Sequence, residues 1–192
     1  VDPQPFSFVH STDVIPMDAS VREVLRARES SSSMQLALDL VAAGECQGII
    51  SAGNTGALMA LAMRTLGMRD GYSRPALCAA VPTLQNPCFM LDLGANVDCQ
   101  AEQLLEFALL GHDLATGLSA RGESGAGPRV ALLSNGSEPG KGNEQTRRAY
   151  ELMQEHPEFN FIGNIEASEI QQGAADVLVC DGFTGNIALK AM

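Results

Sequence analysis

Short apolar runs alternate with helix-patterned stretches along nearly the whole chain, and this alternation restricts the fold more than any other feature. The runs 6–10, 48–51, 77–82, 88–93, 129–134, 159–165 and 176–181 have the length and composition of strands. Between them, 20–28, 33–43, 55–66, 101–119 and 143–154 read as helices, and a final helix begins near Gly185. Leu104, Ala108, Gly111 and Leu114 form one stripe at helical spacing, whereas 55–66 is apolar almost all round, which predicts a buried helix. Strands that are apolar on every residue are buried on both faces, as parallel strands beneath crossover helices are. The expected fold is therefore α/β: a three-layer α/β/α sandwich with a mostly parallel sheet, in a single domain over residues 1–192.

In such sheets ligands bind beyond the carboxyl ends of the strands. Five predicted strand ends are rich in small and polar residues. The first holds Ser51, Gly53, Asn54, Thr55 and Gly56. Glycines there let the backbone approach an anion, and the free N–H groups of a helix start point at it; the plainer alternative is a tight turn closed by a Thr cap. The second holds Asp92, Gly94, Asn96 and Asp98. An acid at the end of an apolar strand costs free energy unless it is paired; alternatively, Asp98 caps the helix from Ala101 and Asp92 ties down a loop. The third places Lys141 between Gly140 and Gly142 ahead of Asn143 and Glu144, well suited to neutralising a phosphate. It is not a P-loop, because Gly142 stands where Ser or Thr is required, and a solvated loop lysine is the competing reading. The fourth carries Gly163, Asn164 and Glu166, and the fifth Asp181, Gly182, Gly185 and Asn186. Each is weak alone; five along one edge of one sheet would form a site.

Several functions are excluded. Twelve basic residues against 23 acidic give a net charge of −11, which repels a phosphate backbone, so no nucleic-acid partner is expected. No apolar run reaches the roughly 18 residues of a spanning helix. Cys46, Cys78, Cys88, Cys99 and Cys180 show no CxxC spacing, as expected of reduced thiols in a cytoplasmic protein. His10, His112 and His156 are scattered without metal-ligand spacing. Gly122, Gly125 and Gly127 follow a helix rather than a strand, which argues against a nucleotide loop. Cys99 and Cys180 border the polar turns and could accept an acyl group, but neither has a histidine nearby in sequence; buried strand-end cysteines are expected. The chain opens at Val1 and stops at Met192 inside a predicted helix, so a piece of a longer protein is expected.

The segments SSM (32–34), SAGNTGALM (51–59), RPA (74–76), LDLGANVDC (91–99), KGNE (141–144), GNIE (163–166) and VCDGFTGN (179–186) together resemble the phosphate acyltransferase (PlsX) family of bacterial phospholipid synthesis. The resemblance runs over essentially the whole chain. It implies an isocitrate/isopropylmalate dehydrogenase-like or phosphotransacetylase-like fold. It also implies family members longer at both ends, by an N-terminal strand and loop and by C-terminal helices implicated in dimerisation and membrane contact. Many members carry a Lys-Lys-Asp stretch before SSM, where Arg26, Ala27, Arg28 and Glu29 precede the serines here. The implied reaction converts an acyl-[acyl-carrier protein] and inorganic phosphate to acyl phosphate and free carrier protein.

Phosphate is then itself the nucleophile, held in near-attack geometry beside the thioester carbonyl. Backbone N–H groups at 53–56 and the charge of Lys141 would hold it, with Ser51, Gly94, Asn164, Glu166, Gly182 and Gly185 among the binding residues. Asn54, Asn143 or Asn186 would donate to the oxyanion, one such donor being worth roughly 3–4 kcal/mol. Asp92, Asp98 and Asp181, with Asn96, would orient these groups or move a proton. No metal or cofactor is required. The implied partners are acyl carrier protein, phosphate, a downstream membrane glycerol-3-phosphate acyltransferase and a second copy of the chain, in the cytoplasm or peripheral at the inner face of the membrane. The rival readings are a phosphate acetyl- or butyryltransferase using coenzyme A thioesters, a dehydrogenase of the isocitrate type (whose metal-binding Asp cluster is missing), and an inactive piece. The acidic balance opposes an acidic carrier protein, so a basic patch at Arg22, Arg26 and Arg28, or at Arg147 and Arg148, would have to carry docking.

Overall fold

The computed structural model describes residues 6–27, 31–118 and 127–192. Arg28 and most of the glycine loop from Gly122 lie outside the described residues. The chain forms two compact units, Val1–Gly71 and Tyr72–Met192.

The first unit is helical: α1 (Val21–Arg26), α2 (Ser33–Ala42) and α3 (Thr55–Leu66). Each starts at a polar side chain that accepts an otherwise unpaired amide. Ser20 caps α1 in a reciprocal box with Glu23, Ser32 caps α2 through Gln35 N–H, and Asn54 caps α3 through Ala57 N–H. Val24, Met34, Leu38, Ala57 and Leu61 form its core. Two expectations fail here. Residues 6–10 and 48–51 are not strands; Phe8 and Ile50 are fully or almost fully exposed. A strand is stable only when a neighbour takes its backbone groups, and the only bridge among the described residues of this unit joins Asp13 to Ser32. Nor is α3 buried all round: Ala57, Ala60 and Leu61 face the core, while Met63 and Leu66 face outward.

The second unit is built on a five-stranded sheet: β1 (Cys78–Val81), β2 (Cys88–Leu91), β3 (Arg129–Leu133), β4 (Asn160–Ile165) and β5 (Val177–Val179), in the order β1-β2-β5-β3-β4. β2, β5, β3 and β4 are mutually parallel, with Leu91 opposite Val179 and Leu132 opposite both Val179 and Asn164. Only β1, at the edge, is antiparallel. Alternate residues face opposite ways. Val130, Leu132, Val177 and Val179 pack beneath α4 (Ala101–Leu118) and α5 (Glu144–Gln154), against Phe107 and Met153. Ala131, Leu133, Leu178 and Cys180 face the other way, towards Ile170 of α6 (Ala167–Ile170) and Ala188 of α7 (Gly182–Ala191). Both faces are buried, as the unbroken apolar runs require, and the parallel majority follows the expected scheme. The four-residue α6 was not anticipated, and α7 begins at Gly182, three residues before the expected start.

Candidate active site

Because β2, β3, β4 and β5 run parallel, their carboxyl ends share one edge of the sheet. Four of the five polar strand ends are gathered there. The first, Ser51 to Gly56, follows no strand and belongs to the helical unit. Its structural role is local: Ser51 Oγ accepts from Gly53 N–H at 3.2 Å. Asn54, not Thr55, is the cap, and the Asn54 amide spends both protons on the carbonyls of Met17 and Ala19, each at 2.9 Å. That leaves Asn54 no proton for an oxyanion in this arrangement.

The β2 end is a buried knot. Asp92 has no solvent exposure, and the Leu91–Asp92 peptide is cis. One carboxyl oxygen accepts from Leu77 N–H (2.9 Å) and Ala95 N–H (3.1 Å); the other accepts from the amide N–H (2.6 Å) and side-chain Nδ2 (2.9 Å) of Asn96. Asn96 Nδ2 also donates to the Pro75 carbonyl. α7 settles on this knot: Gly182 N–H donates to the Asn96 carbonyl at 2.8 Å, and a side chain at Gly185 would run into the Asp92 carbonyl oxygen. Asp92, Asn96, Gly182 and Gly185 therefore seat the helix that carries the fifth end. The loop-tying reading of Asp92 describes the geometry. The capping reading of Asp98 does not: Ala101 N–H donates to Gln145 Oε1 at 3.0 Å, and Asp98 is exposed.

Two cavities open above the knot. One, about 700 Å³, is bounded by the end of β3 and by α5, α6 and α7; the other, about 290 Å³, lies towards the start of α4. They share Asn143, Thr146, Asp181, Phe183 and Thr184 as a common wall. That wall is the meeting of two helix starts. Asn143 caps α5, its Oδ1 accepting from Thr146 N–H at 2.9 Å, and Asp181 caps α7, accepting from Thr184 N–H at 2.7 Å and Thr184 Oγ1 at 2.8 Å. Helix starts carry partial positive charge and suit an anionic or electron-rich oxygen. Asp98 lines the smaller cavity.

Other predicted residues stand back from both cavities. Lys141 is exposed in the loop before α5 and lines neither. That loop is held by Gly142 N–H donating to Asn135 Oδ1 and by buried Asn164, whose Nδ2 donates to the Glu138 carbonyl at 2.9 Å while its Oδ1 has no partner. Glu166 starts α6, its amide donating to Glu169 at 2.8 Å. Asn186 packs over Gly94. Sequence reasoning missed Ser134, Thr146 and the α7 face of Phe183, Ile187 and Ala191; the four-residue spacing of that face is the signal that could have found it.

The two cysteines at this edge are poor nucleophiles. Burial raises the Cys99 thiol to about 11, with Asp92, Asp181 and Asp98 adding to the rise and a hydrogen bond from Gly182 opposing it. Burial raises Cys180 further. Both thiols point at backbone carbonyls: Asn96 for Cys99, Leu91 and Asp92 for Cys180.

A mostly parallel sheet covered by helices, with a double cavity at its carboxyl edge, is an α/β fold of the phosphotransacetylase-like type. EutD phosphotransacetylase from Staphylococcus aureus superposes with a TM-score of 0.61 at 18% identity, over 91% of this chain and 64% of that one. The family model described as fatty acid synthesis protein matches residues 4–192, and the chain belongs to that family. The phosphate acyltransferase of Pseudomonas syringae pv. syringae (strain B728a) is 48% identical over 191 residues, all of this chain and 54% of that protein. The phosphate acyltransferase of Lawsonia intracellularis is 45% identical over 182 residues, 95% of this chain and 51% of that protein. The chain thus spans about half the length of the curated relatives it matches.

Proposed function

We propose that the chain serves phosphate acyltransfer: an acyl group passes from the thioester of acyl carrier protein to inorganic phosphate. The observation that carries this reading is the 48% identity to a phosphate acyltransferase over the full chain, and it is supported by the place of Asn143 and Asp181 on the wall shared by the two cavities. A phosphate oxygen attacks the thioester carbonyl, the C–O bond forms, the C–S bond breaks, and the carrier thiolate leaves and takes a proton. Direct attack without an acyl-enzyme is supported by the burial-raised thiols of Cys99 and Cys180.

The helix starts at Asn143 and Asp181 receive the oxygens that gain charge, with Lys141 supplying a positive charge two residues before Asn143. Asp92 and Asn96 act through the backbone they hold. For Ser51, Gly53, Thr55 and Gly56 the resemblance alone supports a part in phosphate binding; within the helical unit Ser51 accepts locally from Gly53 N–H. Both units belong to one α/β domain in this reading. A homodimer, a membrane glycerol-3-phosphate acyltransferase that consumes the product, and a cytoplasmic location at the inner membrane face complete it. Among the described residues no helix is long and apolar enough to cross a membrane.

The test is acyl phosphate formation from long-chain acyl carrier protein and phosphate, with coenzyme A thioesters in parallel, by this chain and by a version extended at both ends. Turnover of the carrier thioester by either supports the reading. Turnover of coenzyme A thioesters alone replaces it with the acetyl- or butyryltransferase reading.

A further inference from the structure

We infer that the larger cavity is the groove for the acyl chain, and that α7 is the wall that measures its length. The inference rests on the acyl-transfer reading and adds where the hydrocarbon goes. The two cavities share one wall but differ in chemistry. Around the smaller one stand Asp98, Gln100 and Gln145. Beyond the shared wall, the larger one is closed mainly by carbon: Leu133, Ala167, Ile187, Ala188 and Ala191. Its polar groups sit at the end of β3 and the first turns of α5 and α7; the later turns of α7 give it only apolar side chains.

Phe183, Ile187 and Ala191 are four residues apart and so lie on one face of the helix, a row about 12 Å long at 1.5 Å per residue. Phe183 is 60% and Ile187 51% exposed, so this row presents apolar surface along the cavity. Among the described residues, the only charged side chain lining the larger cavity is Asp181, and its carboxylate is occupied by Thr184. An acyl thioester has the same division, a polar reacting carbonyl and a carbon tail. With the carbonyl at the shared wall, the tail runs along α7 and no charge has to be stripped of water to admit it. The continuity of the carbon-lined groove with the wall of the two helix starts argues for an alkyl chain whose polar head sits at that wall.

The test uses hexadecyl phosphate and butyl phosphate, below micelle-forming concentrations, with binding read by calorimetry. The chain is expected to prefer hexadecyl phosphate by at least tenfold. Ile187→Trp, which fills the groove, erases that preference. Leu84→Trp, at an exposed position outside it, keeps it. Thermal melts check folding, and if Ile187→Trp does not fold, Ala191→Trp at the exposed far end carries the same test. No preference for the long chain, or a preference that survives both groove variants, overturns the inference. So does sedimentation in which the groove variants change only self-association, which would assign this face to a second copy. Chain selectivity with no turnover of acyl carrier protein overturns the acyl-transfer reading and leaves the groove; turnover with an unchanged chain-length profile in Ile187→Trp does the reverse.

Discussion

Asp92 does its work without facing either cavity. Four donors converge on a carboxyl that water does not reach. Asp92→Ala strands all four, and each buried donor left unpaired costs about 1–3 kcal/mol. The expected loss is at least about 3 kcal/mol in urea unfolding, with Asp92→Asn, which keeps one acceptor oxygen, losing about 2 kcal/mol. An Asp92→Ala variant that unfolds like the wild type yet forms no acyl phosphate would return Asp92 to the chemistry. The cysteines give a second prediction at this scale. With Cys99 at about 11 and Cys180 higher still, almost no thiolate exists near neutrality. Peptide mapping after iodoacetamide at about pH 8 is expected to find both unmodified in the folded chain and alkylated in urea. An acyl adduct on either during turnover would overturn direct attack. That an acid ending an apolar strand needs partners was legible in the sequence; that the partners are Leu77, Ala95 and Asn96 was not, because Leu77 is brought in by the pairing of β1 with β2.

Elements were legible in proportion to how local their causes are. Helix starts are written in a few residues, so α1, α2, α3, α4 and α5 begin within a residue of where the sequence places them, while α7 begins three residues early at its Asp181 cap and α3 is capped by Asn54 rather than Thr55. Strands are properties of pairs, which is why 6–10 and 48–51 read as strands and are not, and why the antiparallel direction of β1 could not be read from its apolar run. α6 escaped because one turn has no periodicity to detect. The parallel pair β3–β5 shows what the pattern cannot carry: its start is clamped by Arg129, which donates to Asp176 through its backbone N–H, Nε and Nη2 and to the carbonyls of Ala174 and Gly173. Burial alone would raise the Asp176 carboxyl, but the hydrogen bonds and charge of Arg129 outweigh it, and the net shift is below its ordinary 3.8. A carboxyl depressed in the folded state stabilises above its unfolded pKa and ceases to do so as pH falls through the folded one. Both partners are about one-third exposed, which screens the pair. Asp176→Asn is therefore expected to lose about 1–2 kcal/mol near neutral pH, and the gap to wild type should close only in acid below about pH 4. A gap constant from pH 7 to pH 2 would mean that the clamp owes nothing to charge.

For the molecule as a whole, the decisive quantity is charge. On the proposed reading, a net charge of −11 opposes an acidic carrier protein at long range, so docking on this chain would have to come from a local basic patch that acts at contact. α5 provides one beside the double cavity. Arg147 donates to the neutral Gly142 carbonyl at 2.8 Å, on the rim of the larger cavity; Arg148 is exposed and already paired with Glu151 at 3.0 Å. Arg147 is thus expected to be the stronger docking residue of the two, a distinction the adjacent arginines in the sequence could not make. In the extended, active protein, Arg147→Glu is expected to raise KM for acyl carrier protein about 3–10-fold at low salt, and Arg148→Glu by less. Screening shortens to about 3 Å in 1 M salt, so wild type and variants should converge as salt is added. KM for phosphate, which needs no docking face, should stay the same in Arg148→Glu. If Arg147→Glu leaves the carrier KM unchanged at low salt, the carrier docks elsewhere, and Arg22 and Arg26, exposed on α1, are the next pair to reverse.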